Sequence, residues 1–568
     1  MAEQLYFSRD TRMFIQFRNT TDNTETAANL GKGKVWEIPV LDGYSFSQTT
    51  NTSEITLSEM ESTAGVSRRG SRMFTDSLAP AEWSFSTYIR PFKSTAPAAG
   101  AAGSNNQVHA VEEVLWASMF GADNYDTSNF KFTRSTQAVT GPVLTPQSTT
   151  HSEIVITESN RSALHSFTIY FMIDTDTNNP LMYRMPESIV NEVSIDFDVE
   201  GIAMLNWTGF AKEIQDISGS VNLGTSAPAN DATTRDGSTV ALGDVFIDTD
   251  TGRSFNIVSN VSTNPTGVTQ AIDEATTSTK NFIRNRLTSV DIEAADGADK
   301  VAGTFPGSSA IITGITSSVF TAATAQNGAN GHGFSTGDQV YAEGFAAGVI
   351  AGGSDALNGQ HLFVRVGSAM NSTGDPTTKF RLFGTKAQAE DLTSDTGLKA
   401  ITGTTYSGTA GRLANGKYNL VLTGGSFTIA NNITYLVPEE LGAINKPLEH
   451  ITGSRVSTGA ATCYLTLEDT DTARGTSRQL FNDMVGTGSM SKVVNKFKVT
   501  MHIGGSAATS NATDPALKVE FPTAHITVPT HSIDEIVSLE TEFTALPTDF
   551  GAADEITAIT YYPVDSYA

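Results

Sequence analysis

Short runs rich in β-branched and aromatic residues recur along the chain. Phe167–Ile173 (FTIYFMI), Phe497–Ile503 (FKVTMHI) and Glu82–Arg90 (EWSFSTYIR) read as strands, bounded by Gly, Asn, Asp and Thr clusters that read as turns. Alternation with period two is sharpest in two places. In one, Val193, Ile195, Phe197 and Val199 face one way while Glu192, Ser194, Asp196, Asp198 and Glu200 face the other. In the other, Val537, Leu539 and Phe543 alternate with Ser538, Glu540 and Glu542. A helical period appears in His109–Gly121, where Val111, Val114, Leu115 and Met119 share a face, and in Thr476–Gly486. Each of these runs stops at a glycine, the usual residue for ending a helix. The fold class expected from the pattern is mainly β.

The pattern repeats. Five segments recur in the same order. Phe7–Phe17 returns as Phe282–Ile292, and GKVWEIPVLDGYSFS from Gly33 returns as GKYNLVLTGGSFT from Gly416. The strand and helix of residues 82–121 return at 459–486, with Tyr88 matching Tyr464. Phe167–Ile173 returns as Phe497–Ile503, and Ser188–Glu200 as Ser532–Thr544. A tandem duplication is therefore expected: a first domain over 1–217, a polar Thr- and Asn-rich bridge over 218–279, and a second domain over 280–297 and 415–568. Residues 298–414 interrupt the second copy where the first has only a short loop. They read as a small β-domain inserted at a hairpin tip, a place that few core contacts cross.

Composition narrows the function. Charged residues are 17% of the 568, and the 61 acids against 36 bases give a net charge of -25. Gripping nucleic acid by its phosphates needs Lys and Arg, so that class is disfavoured. An acidic wall past which DNA must slide is not, because carboxylates repel the phosphate backbone. The single cysteine, Cys463, excludes an intrachain disulfide framework and any multi-cysteine zinc site. The first residues, MAEQLYFSRD, carry no apolar run of the kind that makes a signal peptide, and no window is long and apolar enough for a membrane helix. A chain made in a cytoplasm, without membrane contact, is expected.

Two stretches resemble the C-terminal half of phage tail tube proteins: YRMPESIVNEVSIDFDVEGIAMLNWTGFAKEI from Tyr183 and LKVEFPTAHITVPTHSIDEIVSLETEFTAL from Leu517. The resemblance covers both copies but neither the bridge nor the insert. It implies two tandem β-sandwich domains, each with one packed helix, in a virion protein of the tail assembled in the host cytoplasm. Such subunits form rings that stack into a hollow tube, and a duplicated chain implies three subunits per pseudo-sixfold ring. The implied partners are further copies of itself, a tape-measure protein, tail terminator and distal tail or baseplate proteins, and double-stranded DNA passing through without specific binding. If each of six domains gives about four strands to the wall, about 24 strands tilted near 40° make a circumference of roughly 150 Å and a backbone diameter of roughly 48 Å, wide enough for a duplex.

On that reading Glu192, Asp196, Asp198, Glu200, Glu540 and Glu542 line the channel. Arg68, Arg69 and Arg72, in the loop SRRGSRMF, contact the next ring. A solvated outer face is the plain alternative for the acids, and a solvated loop for the arginines. No catalytic, cofactor or metal site is expected. The nine histidines lack the four-residue spacing of a helical zinc site, and His525 and His531 flank a Pro-containing turn. Acidic turns at Asp174 and Asp176, Asp248 and Asp250, and Asp469 and Asp471 lack the distal glutamate of a calcium loop. No P-loop or nucleophile elbow is present. Two other classes stay open: a baseplate or tail-terminus ring protein of related fold, and an adhesion protein whose insert binds glycans.

Overall fold

The computed structural model describes residues 6–8, 11–17, 34–55, 72–93, 108–126, 131–133, 151–155, 164–173, 180–224, 245–248, 254–257, 269–270, 282–294, 309–322, 332, 334, 336–337, 339–343, 361–369, 374–399, 412–415, 418–438, 445–466, 477–485, 497–504, 515–533, 536–547 and 554–563. The fold is mainly β.

In the first half, Thr11–Phe17 pairs antiparallel with both Phe167–Ile173 and Lys34–Ile38. Phe167–Ile173 then pairs with the start of the long strand Leu181–Asp198. That strand turns a corner near Pro186. The proline has no N–H to offer a ladder, Glu187 takes a positive φ of 52°, and the register shifts between Phe167 and Ile169. Beyond the corner the strand leaves the first sheet and pairs with Met204–Ala211, which pairs with Ala81–Tyr88, which pairs with Ser45–Ser47. One strand thus serves two packed sheets.

The second half follows the same path. Ser289–Ala294 pairs with Phe497–Gly504 and Tyr418–Asn419, and Phe497–Gly504 pairs with Ala516–Ile526. The register shift recurs between Phe497 and Val499, and Pro522 stands where Pro186 does. Ala516–Ile526 then meets Val537–Ala545, which pairs with Val456–Tyr464, which pairs with Leu422–Ala430. Counting along these ladders, Phe497 takes the place of Phe167, Tyr464 that of Tyr88, and Gly424-Gly425-Ser426-Phe427 that of Gly43-Tyr44-Ser45-Phe46.

Two of the sequence matches shift. The ladders set Leu181–Val190 against Leu517–Ile526 and Met204–Ala211 against Ser538–Ala545, so Ser188–Glu200 does not superpose on Ser532–Thr544. Thr11 corresponds to Thr288, two residues beyond the sequence match. A period of two makes neighbouring amphipathic strands look alike, and only pairing fixes which is which.

Helices lie at Glu113–Met119 and Ser477–Val485. The first is shorter than its apolar period because Val108–Ala110 forms a strand against Pro91–Lys93. Residues 309–415 contain a closed barrel of Ser309–Thr316, Val319–Ala322, Gln339–Glu343, His361–Val366, Lys379–Phe383 and Arg412–Asn415. Its core is Ile312, Phe320, Val340, Val364, Phe380 and their neighbours, separate from the core of the two halves. Arg365, fully buried, donates to the carbonyls of Gln388, Ala389, Asp391 and Ser394 and pairs with Asp395 at 2.9 Å, fastening the C-terminal end of the short helix Lys386–Glu390 to the barrel.

Candidate functional site: the polar face of the continuous sheet

The second part of the long strand does more than close the first half. Its other edge pairs with Leu422–Ala430, from Glu192 opposite Ala430 to Asp198 opposite Gly424. The two halves therefore share one unbroken sheet. Its order is Ser45–Ser47, Ala81–Tyr88, Met204–Ala211, Ile189–Asp198, Leu422–Ala430, Val456–Tyr464, Val537–Ala545 and Thr530–Ile533.

One face of this sheet is core. Trp83, Phe85, Val193, Ile195, Leu205, Trp207, Phe427, Cys463, Leu539 and Phe543 are all buried there. Trp116 packs edge-on to Trp207 at 4.9 Å, and Trp83 stacks on Phe85 at 5.1 Å. Close approach needs glycines. A Cβ on Gly209 would sit 2.2 Å from the Trp83 ring, and one on Gly459 would sit 2.4 Å from the Phe543 ring. Trp83 is opposite Gly209 and Gly459 is opposite Phe543, so the large and small partners have changed strands between the halves while the pair fills the same space. Tyr88, on the same strand as Trp83 and Phe85, lies on the other face, edge-on to Phe282 at 5.4 Å.

The opposite face is polar. Along it run Ser45, Ser47, Glu82, Ser84, Ser86, Asn206, Thr208, Glu192, Ser194, Asp196, Asp198, Ser426, Thr428, Thr458, Thr462, Ser538, Glu540, Glu542, Thr544, Thr530 and Ser532. Hydroxyls bond across strands, with Ser45 to Ser84 at 2.8 Å and Ser86 donating to Asn206 Oδ1 at 2.7 Å. None of these strand segments contains a Lys or Arg. Asp196, Asp198, Glu540 and Glu542 are exposed and Glu192 is half-buried. Glu200 lies just past the strand end, exposed. The pairing thus brings five of the six expected acids onto one face and adds Glu82, which alternation along its own strand could have flagged. The strand segments that form this face thus carry carboxylates and no Lys or Arg that would bind a phosphate.

The expected arginine contact is largely beyond view. Arg68 and Arg69 lie outside the described residues, and Arg72 opens the strand Arg72–Leu78 opposite Ile55. Asp174, Asp176, Asp250, Asp469 and Asp471 also lie outside them. Among the described residues no group of three or more His, Cys, Asp or Glu could hold a metal. His531 sits edge-on to Phe481 at 4.4 Å. Cys463 is buried, and burial pushes its thiol up to about 12.

A buried polar cluster joins the first half of the chain to the strand Ala558–Tyr562. The Trp116 indole donates to the Tyr561 hydroxyl at 2.5 Å, and that hydroxyl donates to Glu112 at 2.7 Å. Burial raises the Glu112 carboxyl to about 7, against the lowering effects of Tyr561 and Arg90. Tyr561 belongs to Ala558–Tyr562, which pairs with Ala516–Glu520 of the second half and Ser152–Val155 of the first.

A 141-residue stretch of the chain is 36% identical to the tail tube protein pb6 of Escherichia phage T5, covering 25% of this chain and 28% of that protein. The chain thus matches under a third of that relative's length. No protein-family model matches the chain.

Proposed function

We propose that this chain is a structural, non-enzymatic subunit of a bacteriophage tail tube, polymerising as stacked rings of three chains. The similarity to a tail tube protein carries the reading. The continuous sheet supports it: eight strands per chain give about 24 in a three-chain ring, the number that sets a lumen wide enough for DNA. In this account residues 1–217 and 280–297 with 415–568 are the two tube domains, 218–279 the bridge, and 298–414 an insert.

The polar face lines the lumen. Its carboxylates and hydroxyls leave phosphate no cation to rest on, so the DNA duplex stays mobile during ejection, and a tape-measure protein fills the space before it. The insert points outward. The strands flanking it, Ser289–Ala294 and Tyr418–Asn419, belong to the layer away from the polar face. Tail terminator and distal tail or baseplate proteins cap the two ends of the tube.

Electron microscopy of the purified chain tests this. Hollow tubes with three outward knobs per ring are expected. Single rings that never stack would move the assignment to a tail-end ring protein, and a chain that stays monomeric at high concentration would overturn it. Changing Asp196, Asp198, Glu540 and Glu542 together to Lys should leave tubes intact but slow DNA ejection. Unchanged ejection would remove the acids from the mechanism.

A further inference from the structure

The chain contains a template for its own contact with a neighbour. Inside it, the strand Leu181–Asp198 pairs through Ile189–Ser194 with Asn206–Phe210 on one edge and through Glu192–Asp198 with Gly424–Ala430 on the other. Thr530–Ile533 lies in line with this strand in the second half: Thr530 opposite Glu540 repeats Ser194 opposite Asn206, and His531, Ser532 and Ile533 run on along the same ladder. Counting through those ladders, Ser194 corresponds to Thr530, Ile195 to His531, Asp196 to Ser532 and Phe197 to Ile533. The covering strand Leu422–Ala430 likewise corresponds to the segment that begins at Gly43 and ends at Thr49.

Both corresponding edges stand open in one chain. Among the described residues Thr530–Ile533 pairs only with Val537–Glu540, and Ser45–Ser47 only with Glu82–Ser84. Phe197 is buried at 4% exposure, whereas Ile533, in its place, is 83% exposed, and Ile536 beside it is 62% exposed. An open apolar edge of this kind calls for a strand.

A second contact repeats the asymmetry. The hairpin of Thr434–Leu436 and Glu449–Ile451 reaches from the second half over the first. Ile433 and Tyr435 pack with Leu164, Ile189 and Phe210, the Tyr435 hydroxyl donates to the Glu187 carbonyl, and the Ile433 N–H donates to Asn191 Oδ1 at 2.8 Å. The first half has its own hairpin at the same point of the path, Thr50–Ile55 with Arg72–Leu78. It leaves Met73 62% and Phe74 56% exposed.

We infer that the occupant of the open edge is a second copy of this chain, joined head to tail by antiparallel pairing of Thr530–Ile533 with Tyr44–Ser47 of the neighbour. The internal register carries over, so Thr530 lies opposite Ser47, His531 opposite Phe46, Ser532 opposite Ser45 and Ile533 opposite Tyr44. The hairpin bearing Met73 and Phe74 belongs to the neighbour as well and laps over the half that bears Thr530–Ile533. The contact is heterologous, using two different surfaces, and therefore builds a ring or an open helix rather than a closed dimer. The inference rests on the ring reading above only for the number of copies, and on the internal pairing for everything else.

Cysteine cross-linking of assembled full-length chain is the test. Residues directly opposite in an antiparallel pair bring their Cβ atoms to about 5 Å, within reach of a disulfide or a short bis-thiol reagent. Ser45→Cys with Ser532→Cys should give intermolecular bands that stop at trimer. Either change alone should give none. Moving one cysteine out of register, as Ser47→Cys with Ser532→Cys, should lower the yield at least about fivefold. The internal counterpart, Asp196→Cys with Ser426→Cys, should link within one chain. Ile533→Asp, at an exposed position, should leave the fold of the single chain unchanged by circular dichroism and stop assembly. Wild-type chain that assembles while the Ser45/Ser532 pair gives no bands overturns this pairing and leaves the tube reading standing. Bands that continue past trimer keep the pairing and overturn three-chain closure. Wild-type chain that does not assemble overturns both.

Discussion

Ser194–Phe197 and Thr530–Ile533 occupy corresponding places in two halves built on one strand path, yet one is interior and the other an edge. Their sequences reflect it. The covered strand ends in the alternating run Val193, Ile195, Phe197, whose side chains sink into a shared core. The open strand replaces it with Pro529, His531 and Ile533, and is separated from Ala516–Ile526 by a break at Thr527–Pro529. A shared strand path thus does not make two equal halves: in one the strand is long, continuous and covered, with Phe197 packed close over Gly425, whereas in the other the corresponding strand is short and, among the described residues, paired on one side alone.

The largest effect should come from treating the two strands alike. Phe197→Asp buries a carboxylate against Gly425 and should cost about 4 kcal/mol or more, lowering the melting temperature of the single chain or preventing folding. Ile533→Asp should change the stability of the single chain by no more than about 0.5 kcal/mol. Equal losses in thermal melts of the two variants would erase the distinction between interior and edge.

The exchanged pairs offer a sharper test. Gly209→Phe alone should cost about 3 kcal/mol or more, because the Trp83 ring already fills the space. Adding Trp83→Gly copies the arrangement of Gly459 and Phe543 and should recover most of that loss in chemical denaturation. A double variant no more stable than the single one would show that the two halves do not pack equivalently.

A smaller effect concerns the polar cluster that ties Ala558–Tyr562 to the first helix. The folded carboxyl of Glu112, near 7, lies above its ordinary value of 4.5. The folded state thus holds this proton more tightly than the unfolded chain does. Its contribution to stability is complete below about pH 4.5 and is lost as pH rises through about 7. Glu112→Gln keeps an acceptor for Tyr561 and carries no charge. It should therefore melt higher than wild type at pH 8, by on the order of 2 kcal/mol, and match it at pH 5. A gap that does not change with pH would remove Glu112 as the titrating group.

Much of this architecture was legible in the sequence. Strand runs, two helices, the Gly-Tyr-Ser-Phe and Gly-Gly-Ser-Phe turns and the acid-bearing faces all follow from local residue chemistry. Register was not. Ser188–Glu200 and Ser532–Thr544 share serines, acids and alternation, yet the latter spans two strands, because the period of two carries no information about which neighbour a strand takes. The acids were visible as polar faces of separate strands. That Asp196 and Glu542 share one face follows only from the pairing, which sets Asp196 opposite Ser426, Ser426 opposite Ala460 and Ala460 opposite Glu542. The open edge is not marked locally, since the exposure of Ile533 and Ile536 is set by what the fold leaves uncovered.

A three-dimensional reconstruction of tubes assembled from the purified chain tests the central claim most directly. The account predicts threefold rings whose inner wall holds about 24 strands, with Asp196, Asp198, Glu540 and Glu542 facing the lumen and the barrel of residues 309–415 outside. A sixfold ring of this chain, or a lumen lined by the sheet of Thr11–Phe17 and Phe167–Ile173, would contradict it.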